Sequence, residues 1–221
     1  MPMRVLTWNL MHGRAVPPAG RNLFEEFSCA LEGWEWDVAL LQEVPPWWPQ
    51  DLAKRLGSDQ RTVLTSRNSL LAVRRAIANR WPDAIKSNGG GSNAILARGD
   101  QLLEYRTRRL CRLPERRWLQ AARLEQAGLW VGNLHLTVHD DAAARREADL
   151  AARTILELSA HTPTVLGGDF NVRELTLERF HYAGGHDVDH VFTTWPNPRA
   201  RPEVLERGRL SDHAPVLISL A

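Results

Sequence analysis

The sequence predicts an α/β or α+β protein built on mixed β-sheets. Three observations carry that reading: a long series of short β-type runs bounded by turn formers, two clear helical patterns, and a strand-helix alternation that breaks down mid-chain. The strand candidates are Arg4–Leu10, Val38–Val44, Thr62–Thr65, Ser69–Val73, Asn93–Ala97, Trp118–Leu124, Leu129–Leu136, Thr164–Leu166, Val188–Thr193 and Pro215–Leu220. The clearest helix runs from Asp141 to His161, where Ala144, Ala148, Ala151, Ile155 and Leu158 recur at three- and four-residue steps and Arg145, Arg146, Glu147 and Asp149 take the other face. Asn22 can cap a second helix ending near Leu31.

The 221 residues, 43% of them hydrophobic and nine of them tryptophan, suffice for one sizeable core. Residues 1–221 are therefore read as one domain, and a monomer is expected. Ser87–Ser92, with its three consecutive glycines, and Pro196–Gly208 are too short to be domain linkers and read as surface loops.

The first apolar run is broken by Asn9 and His12, unlike a signal peptide, and no stretch approaches the roughly 18 apolar residues of a membrane span. Cys29 and Cys111 stand far apart, outside any metal-like spacing, and read as buried reduced thiols. A cytoplasmic location without stable membrane association is expected. Net charge is only +2, but all except Lys54 and Lys86 of the 28 basic residues are arginine, the side chain that grips phosphate with two parallel hydrogen bonds. A GC-rich coding sequence would give the same bias.

Polar groups recur where strand candidates end. Asn9 closes the first and Glu43 nearly closes the second; His135 lies near the end of Leu129–Leu136, and Asp169 and Asn171 follow the strand ending at Leu166. Asp189 and His190 open a later strand, and Ser211-Asp212-His213 precede the last. Singly, each has an ordinary reading as a solvated carboxylate, a core histidine or an Asx turn. Together, carboxylates, amides and imidazoles form the set that a hard divalent cation and a general base require.

In order, Thr7-Trp8-Asn9, Leu41-Gln42-Glu43, Asn133-Leu134-His135-Leu136, Gly168-Asp169-Phe170-Asn171, Val188-Asp189-His190-Val191-Phe192 and Ser211-Asp212-His213-Ala214-Pro215 resemble the motif series of the endonuclease/exonuclease/phosphatase superfamily. The resemblance spans residues 4 to 220. It implies a four-layer α/β sandwich, two mixed sheets face to face with helices outside, and a site at one edge. It also implies that Glu43, helped by Asn9 and Asp212, binds Mg²⁺ or Mn²⁺, and that Asp169 and Asn171 orient the attacking water and the phosphate. His213 would pair with Asp189, and His135 would donate to a phosphate oxygen. The proton from water goes to Asp169 or His213, which are assigned that role jointly.

Two features depart from the family. His190 stands where Tyr or Arg is common, and its default reading is structural; the chain is also short, so insertions that set substrate choice are reduced. Arginines offer partial guidance. Arg106, Arg108, Arg109, Arg112, Arg116, Arg117 and Arg123 fall in one stretch, and Arg199, Arg201, Arg207 and Arg209 crowd the loop before Ser211. The first group reads equally as a charged strand edge or a phosphate contact; Arg117 and the second group are taken as candidate substrate contacts. Pro45-Pro46-Trp47-Trp48 could stack on a base, with core packing the more ordinary reading.

Calcineurin-like phosphoesterases also carry Gly-Asp, but their N-terminal Asp-x-His and Gly-Asn-His are missing from this sequence. A non-catalytic phosphate-binding module would be expected to have lost a ligand or a base. The expectation is a metal-dependent phosphodiesterase acting on nucleic acid, DNA favoured, because no basic amphipathic helix suited to a membrane surface stands out. Inositol phosphates, sphingolipids and nucleotides are the alternative substrates.

Overall fold

In the computed structural model the described residues are 3–65, 68–81, 83, 91–160 and 162–221. Along the chain they form β1 (Met3–Asn9), a 3-10 turn (Met11–Gly13), α1 (Phe24–Gly33), β2 (Val38–Val44), α2 (Trp48–Leu56), β3 (Ser58–Leu64), α3 (Leu71–Arg80) and β4 (Ser92–Arg98). There follow β5 (Leu102–Cys111), β6 (Arg117–Leu124), β7 (Trp130–His135), α4 (Asp141–Ser159), β8 (Thr164–Asp169), β9 (His181–His186), β10 (Asp189–Thr193), β11 (Arg201–Val204) and β12 (Val216–Leu220).

Among these residues the strands make two six-stranded sheets, ordered β11-β12-β1-β2-β4-β3 and β5-β6-β7-β8-β10-β9. Each is mixed: β1 and β2 run parallel in the first, β7 and β8 in the second, and the other pairings are antiparallel. Side-chain alternation along the strands explains the layering. Leu6 and Trp8, Ala39 and Leu41, and Ala94 and Leu96 pack with Phe27 and Leu31 of α1 and Leu52 and Leu56 of α2. The alternate residues Val5, Val38, Leu40 and Ile95 face Val131, Val165 and Val191 of the other sheet. The outer face of that second sheet, including Leu134, Leu166 and Phe192, is covered by Ala144, Ala148, Ala151 and Ile155 of α4. The four-layer sandwich expected from the motifs is thus the observed fold.

Between the sheets a polar network replaces apolar packing just below the strand ends. Asn133 donates to the carbonyls of Leu41 and Ala94 and to Gln120 Oε1, and its own Oδ1 accepts from Gln42 Nε2 at 2.8 Å. Buried amides satisfied in this way fix the relative height of the two sheets, since sliding either would leave them unpaired.

Several expectations need correction. Ser69–Val73 is not a strand: Leu71–Arg80 is helix α3, because Leu71, Ala72, Arg74, Arg75, Ala76 and Ala78 are strong helix formers that outweigh the β-branched Val73 and Ile77. This helix carries Arg74, Arg75 and Arg80 beside exposed Val73, with exposed Leu70 and Trp81 at its two ends, so an apolar and basic surface element does exist. Pro196–Gly208 is not all loop, since Arg201–Val204 forms edge strand β11. Cys29 and Cys111 are unpaired as expected, but Cys29 is exposed and Cys111 half-buried. Trp48 is core, edge-on to Phe24. Of the glycine-rich stretch Ser87–Ser92, only Gly91 and Ser92 are among the described residues.

Candidate active site

The alternation that builds the core also builds the site. On β1, Val5 and Thr7 point between the sheets, and Asn9 follows them on the same face at the strand's end. On β7 the inward column is Val131, Asn133, His135; on β8 it is Val165, Gly167, Asp169; on β10 it is Val191, then Asp189. Each column is apolar or amide deep in the sandwich and ionisable at its rim. Register aligns the rims, with His135 beside Asp169 and Asp169 beside Asp189. Gly168 makes the first alignment possible, because a Cβ there would stand 2.1 Å from the Leu134 carbonyl oxygen.

Glu43 arrives differently. Strict alternation after inward-facing Gln42 would send it toward α1 and α2. Instead β2 loses register with β4 between Leu41 and Val44, and Glu43 adopts φ 49. This left-handed residue turns its carboxylate to the sheet end, a strain of roughly 1 to 3 kcal/mol of the kind that clusters at functional sites. Asn171 (φ 54) and Ser211 (φ 59) share it.

These groups enclose a cleft of about 390 Å³ whose walls include Asn9, Glu43, Arg117, His135, Asp169, Asn171, Asp212 and His213. Asn9 Nδ2 donates to Asp169 Oδ2 at 2.9 Å, and the Asn171 backbone N–H donates to Asp169 Oδ1 at 3.0 Å. His213 Nδ1 meets Asp189 Oδ2 at 2.7 Å, which aims Nε2 into the cleft, 3.8 Å from Asp169 Oδ2. His135 stands 3.5 Å from Asp169 Oδ2 and 3.9 Å from Glu43 Oε1. The Ser211-Asp212-His213 turn is pinned by Ser211 Oγ, which donates to the Asn9 carbonyl, and by Trp8 Nε1, which donates to that of His213.

Electrostatics separate the roles. Burial pushes the carboxyls of Glu43 and Asp169 above the ordinary range, and that of Asp189 up to about 6. Burial opposes charge on His213 too, but the Asp189 hydrogen bond and the charges of Asp189, Asp169 and Asp212 outweigh it and lift His213 to about 9. Burial and the nearby charges of Arg117 and His213 hold His135 well below its usual range, hence neutral. The sign follows by linkage. A raised histidine gives stability that is complete below its unfolded value near 6.5 and lost as pH rises through about 9. Metal-free protein should therefore become less stable to urea between those values, and its His213 ring should titrate near 9 by NMR. Asp189→Asn should bring that titration down toward or below the ordinary value; an unmoved titration would show that the pair does not govern it.

Among the described residues, Asp169, Asp189 and His213 form a cluster capable of coordinating a divalent metal, their ligand atoms lying within 4.8 Å of one another. The family resemblance instead implied Asn9, Glu43 and Asp212. All three line the same cleft, but Asn9 is engaged by Asp169 and by the Met11 N–H, and Asp212 is exposed. Carboxylate and amide oxygens of both groups suit a hard cation.

Arg117 lines the cleft, buried and paired with Glu115 at 3.1 Å. Arg199, Arg201, Arg207 and Arg209 are not among its lining residues. Arg201 registers through Ser219 with Arg4, five residues before Asn9 and hence roughly 17 Å from it at about 3.3 Å per residue. Arg207 bonds the carbonyls of Leu210 and Ser211, and Arg209 that of Pro17. His190 faces away from the cleft, one residue out of phase with Asp189, and its Nε2 meets the Val172 carbonyl oxygen at 2.7 Å. Several polar cleft residues escaped the sequence reading, among them His12, whose Nε2 lies 3.1 Å from Glu43 Oε2, Arg14, Thr65, Glu115 and Asn93.

With this geometry in place, a family model described as "Endonuclease/Exonuclease/phosphatase family" matches residues 6–213. The chain belongs to the endonuclease/exonuclease/phosphatase family. Its solved relatives in fold include a family member from Bacteroides thetaiotaomicron, 17% identical at TM-score 0.72 over all of this chain and 97% of that one. TDP2 from Caenorhabditis elegans is 14% identical at TM-score 0.72, over all of this chain and 74% of its own. A Bacteroides thetaiotaomicron mannosyl-6-phosphatase is 16% identical at TM-score 0.70, over 99% of each chain. No curated protein matches the chain. Among the described residues no helix is long and apolar enough to cross a membrane. Family membership and the cluster of buried Asp169 and Asp189 with half-buried His213 are consistent with the site of a metal-dependent phosphoesterase.

Proposed function

We propose that the protein is a Mg²⁺- or Mn²⁺-dependent phosphodiesterase that acts on nucleic acid, with DNA as the favoured substrate. The observation that carries the reading is the meeting in one cleft of acceptor Asp169, the charged Asp189–His213 pair, Glu43 and Arg117. Glu43, assisted by Asn9 and Asp212, would hold the ion, and the ion when bound supplies positive charge and Lewis-acid polarisation of the phosphoryl group. Asp169, oriented by Asn9 and the Asn171 N–H, accepts the proton of the attacking water. His213, already protonated at neutral pH, donates from Nε2 to a phosphoryl oxygen, and neutral His135 donates a second hydrogen bond as charge builds there. The raised His213 value is what favours Asp169 as the base.

Support for a polyanionic substrate comes from β5, where Arg106, Arg108 and Arg109 are exposed on a strand whose last residue, Cys111, registers with Arg117 at the cleft. DNA cleavage should weaken as salt rises, and replacing those three arginines by alanine should lower the log-log slope by roughly one unit for each phosphate no longer gripped. A small phosphodiester should respond far less. A slope unchanged by the triple substitution would remove β5 from the substrate path. The exposed apolar and basic residues of α3, which comes between β3 and β4 along the chain, favour a lipid-linked phosphodiester as second reading. Efficient hydrolysis of sphingomyelin or a phosphoinositide, with none of DNA or RNA, would select it.

A further inference from the structure

Asn93 lies one residue into β4, on the face it shares with Ile95 and Ala97, the inward face whose other members are apolar. It is 1% exposed, yet neither its Nδ2 nor its Oδ1 has a hydrogen-bond partner among the described residues. Its neighbours on the strand are Ser92, whose Oγ donates to the Val44 carbonyl, and Ala94, whose carbonyl accepts from Asn133. The break in register that turns Glu43 toward the cleft lies between the residues that pair with those two neighbours, so Asn93 stands opposite it. Asn93 also lines the cleft.

Native proteins seldom bury an amide with both ends unpaired, because the desolvation goes uncompensated. The adjoining positions of this column hold aliphatic side chains, and one of those would pack here without that cost. Asn133, one layer deeper, is by contrast bonded at both ends of its amide, and Gln42 there leaves only its Oε1 open. An amide kept open toward a cleft awaits a ligand that accepts at Nδ2.

We propose that Asn93 is a substrate-contacting residue of this site, its Nδ2–H donating to a non-bridging phosphoryl oxygen while Oδ1 accepts from water ordered beside Glu43. A neutral donor suits this position: it adds stabilisation to oxygens that gain charge in the transition state without competing with the cation for Glu43. The inference rests on the phosphoesterase reading above but is tested separately from it.

Asn93→Leu and Asn93→Ala should be compared with wild type for kcat and KM on an aryl phosphodiester, for binding of inorganic phosphate in the presence of Mn²⁺ by calorimetry, and for Tm. Both variants should lose on the order of 10²-fold in kcat, the scale for removing one such donor, and bind phosphate at least several-fold more weakly. Asn93→Leu should keep or raise Tm, because it removes an unsatisfied buried amide; a purely structural asparagine would lower it. Phosphate affinity equal to wild type, kcat within about threefold of it, or loss of activity only in step with a falling Tm would overturn the proposal. Should wild type hydrolyse no phosphoester at all, the parent reading falls, and phosphate binding alone still decides for or against Asn93, with no binding by wild type counting against it.

Discussion

Asp169→Asn and His213→Ala should each lower turnover of an aryl phosphodiester by at least two to three orders of magnitude, roughly the scale for a general base or a charged donor, with the fold retained. Of the other described carboxylates near Asp169, Asp189 is committed to His213 Nδ1, Glu115 is paired with Arg117, and Glu43 belongs to the other sheet. The amide in Asp169→Asn is nearly the same shape and no longer has to ionise in a buried position, so folding should not suffer. His213→Ala opens space at a partly exposed side chain, where water can meet the Asp189 carboxylate it leaves behind. Circular dichroism and a thermal melt should confirm native structure in both. A folded variant of either kind that turns over at a near-wild-type rate would mean that the chemistry lies elsewhere.

Glu43→Gln should weaken Mn²⁺ binding, measured by calorimetry, by on the order of 10- to 100-fold, the range over which changes around a metal site act. Glutamine keeps the volume and one oxygen but removes the charge, and the left-handed backbone that aims the side chain should persist because Gln42 stays anchored to Asn133. At saturating metal much of the turnover should return, since Asp169 and His213 are untouched. Unchanged affinity in Glu43→Gln would assign the ion to Asp169, Asp189 and His213 instead, and Asp189→Asn would then be the variant that loses it.

Much of this site was legible in the sequence because strand parity decides it. Asn9, His135 and Asp169 end strands whose inward positions can be counted back through Thr7, Asn133 and Gly167, and the same counting separates Asp189 from His190. What parity could not show is the turn at Glu43, where an extra residue breaks the count. Asn93 was missed for another reason. The polar groups that stand out in the sequence mostly close strands at their C-terminal ends, whereas antiparallel β4 enters the cleft at its beginning, as β6 does with Arg117. The arginines before Ser211 adjoin the site in the chain but are not among the residues that line the cleft: β11 starts at the far end of its sheet and only its end, Val204, reaches the level of Val216 and Thr7. Strand β5 and helix α3 were obscured by composition, one because an arginine-rich edge shows no apolar alternation, the other because a short apolar run fits strand and helix alike.

We propose that this cleft hydrolyses a phosphodiester by metal-assisted attack of water at phosphorus. This is tested most directly by incubating purified, EDTA-stripped protein with an aryl phosphodiester in ¹⁸O-labelled water, with and without added Mg²⁺ or Mn²⁺. The account predicts no turnover without the ion, turnover once it is restored, and one ¹⁸O atom in the phosphate-bearing product with none in the released aryl alcohol. Full turnover in excess EDTA, or label in the alcohol in place of the phosphate, would contradict it.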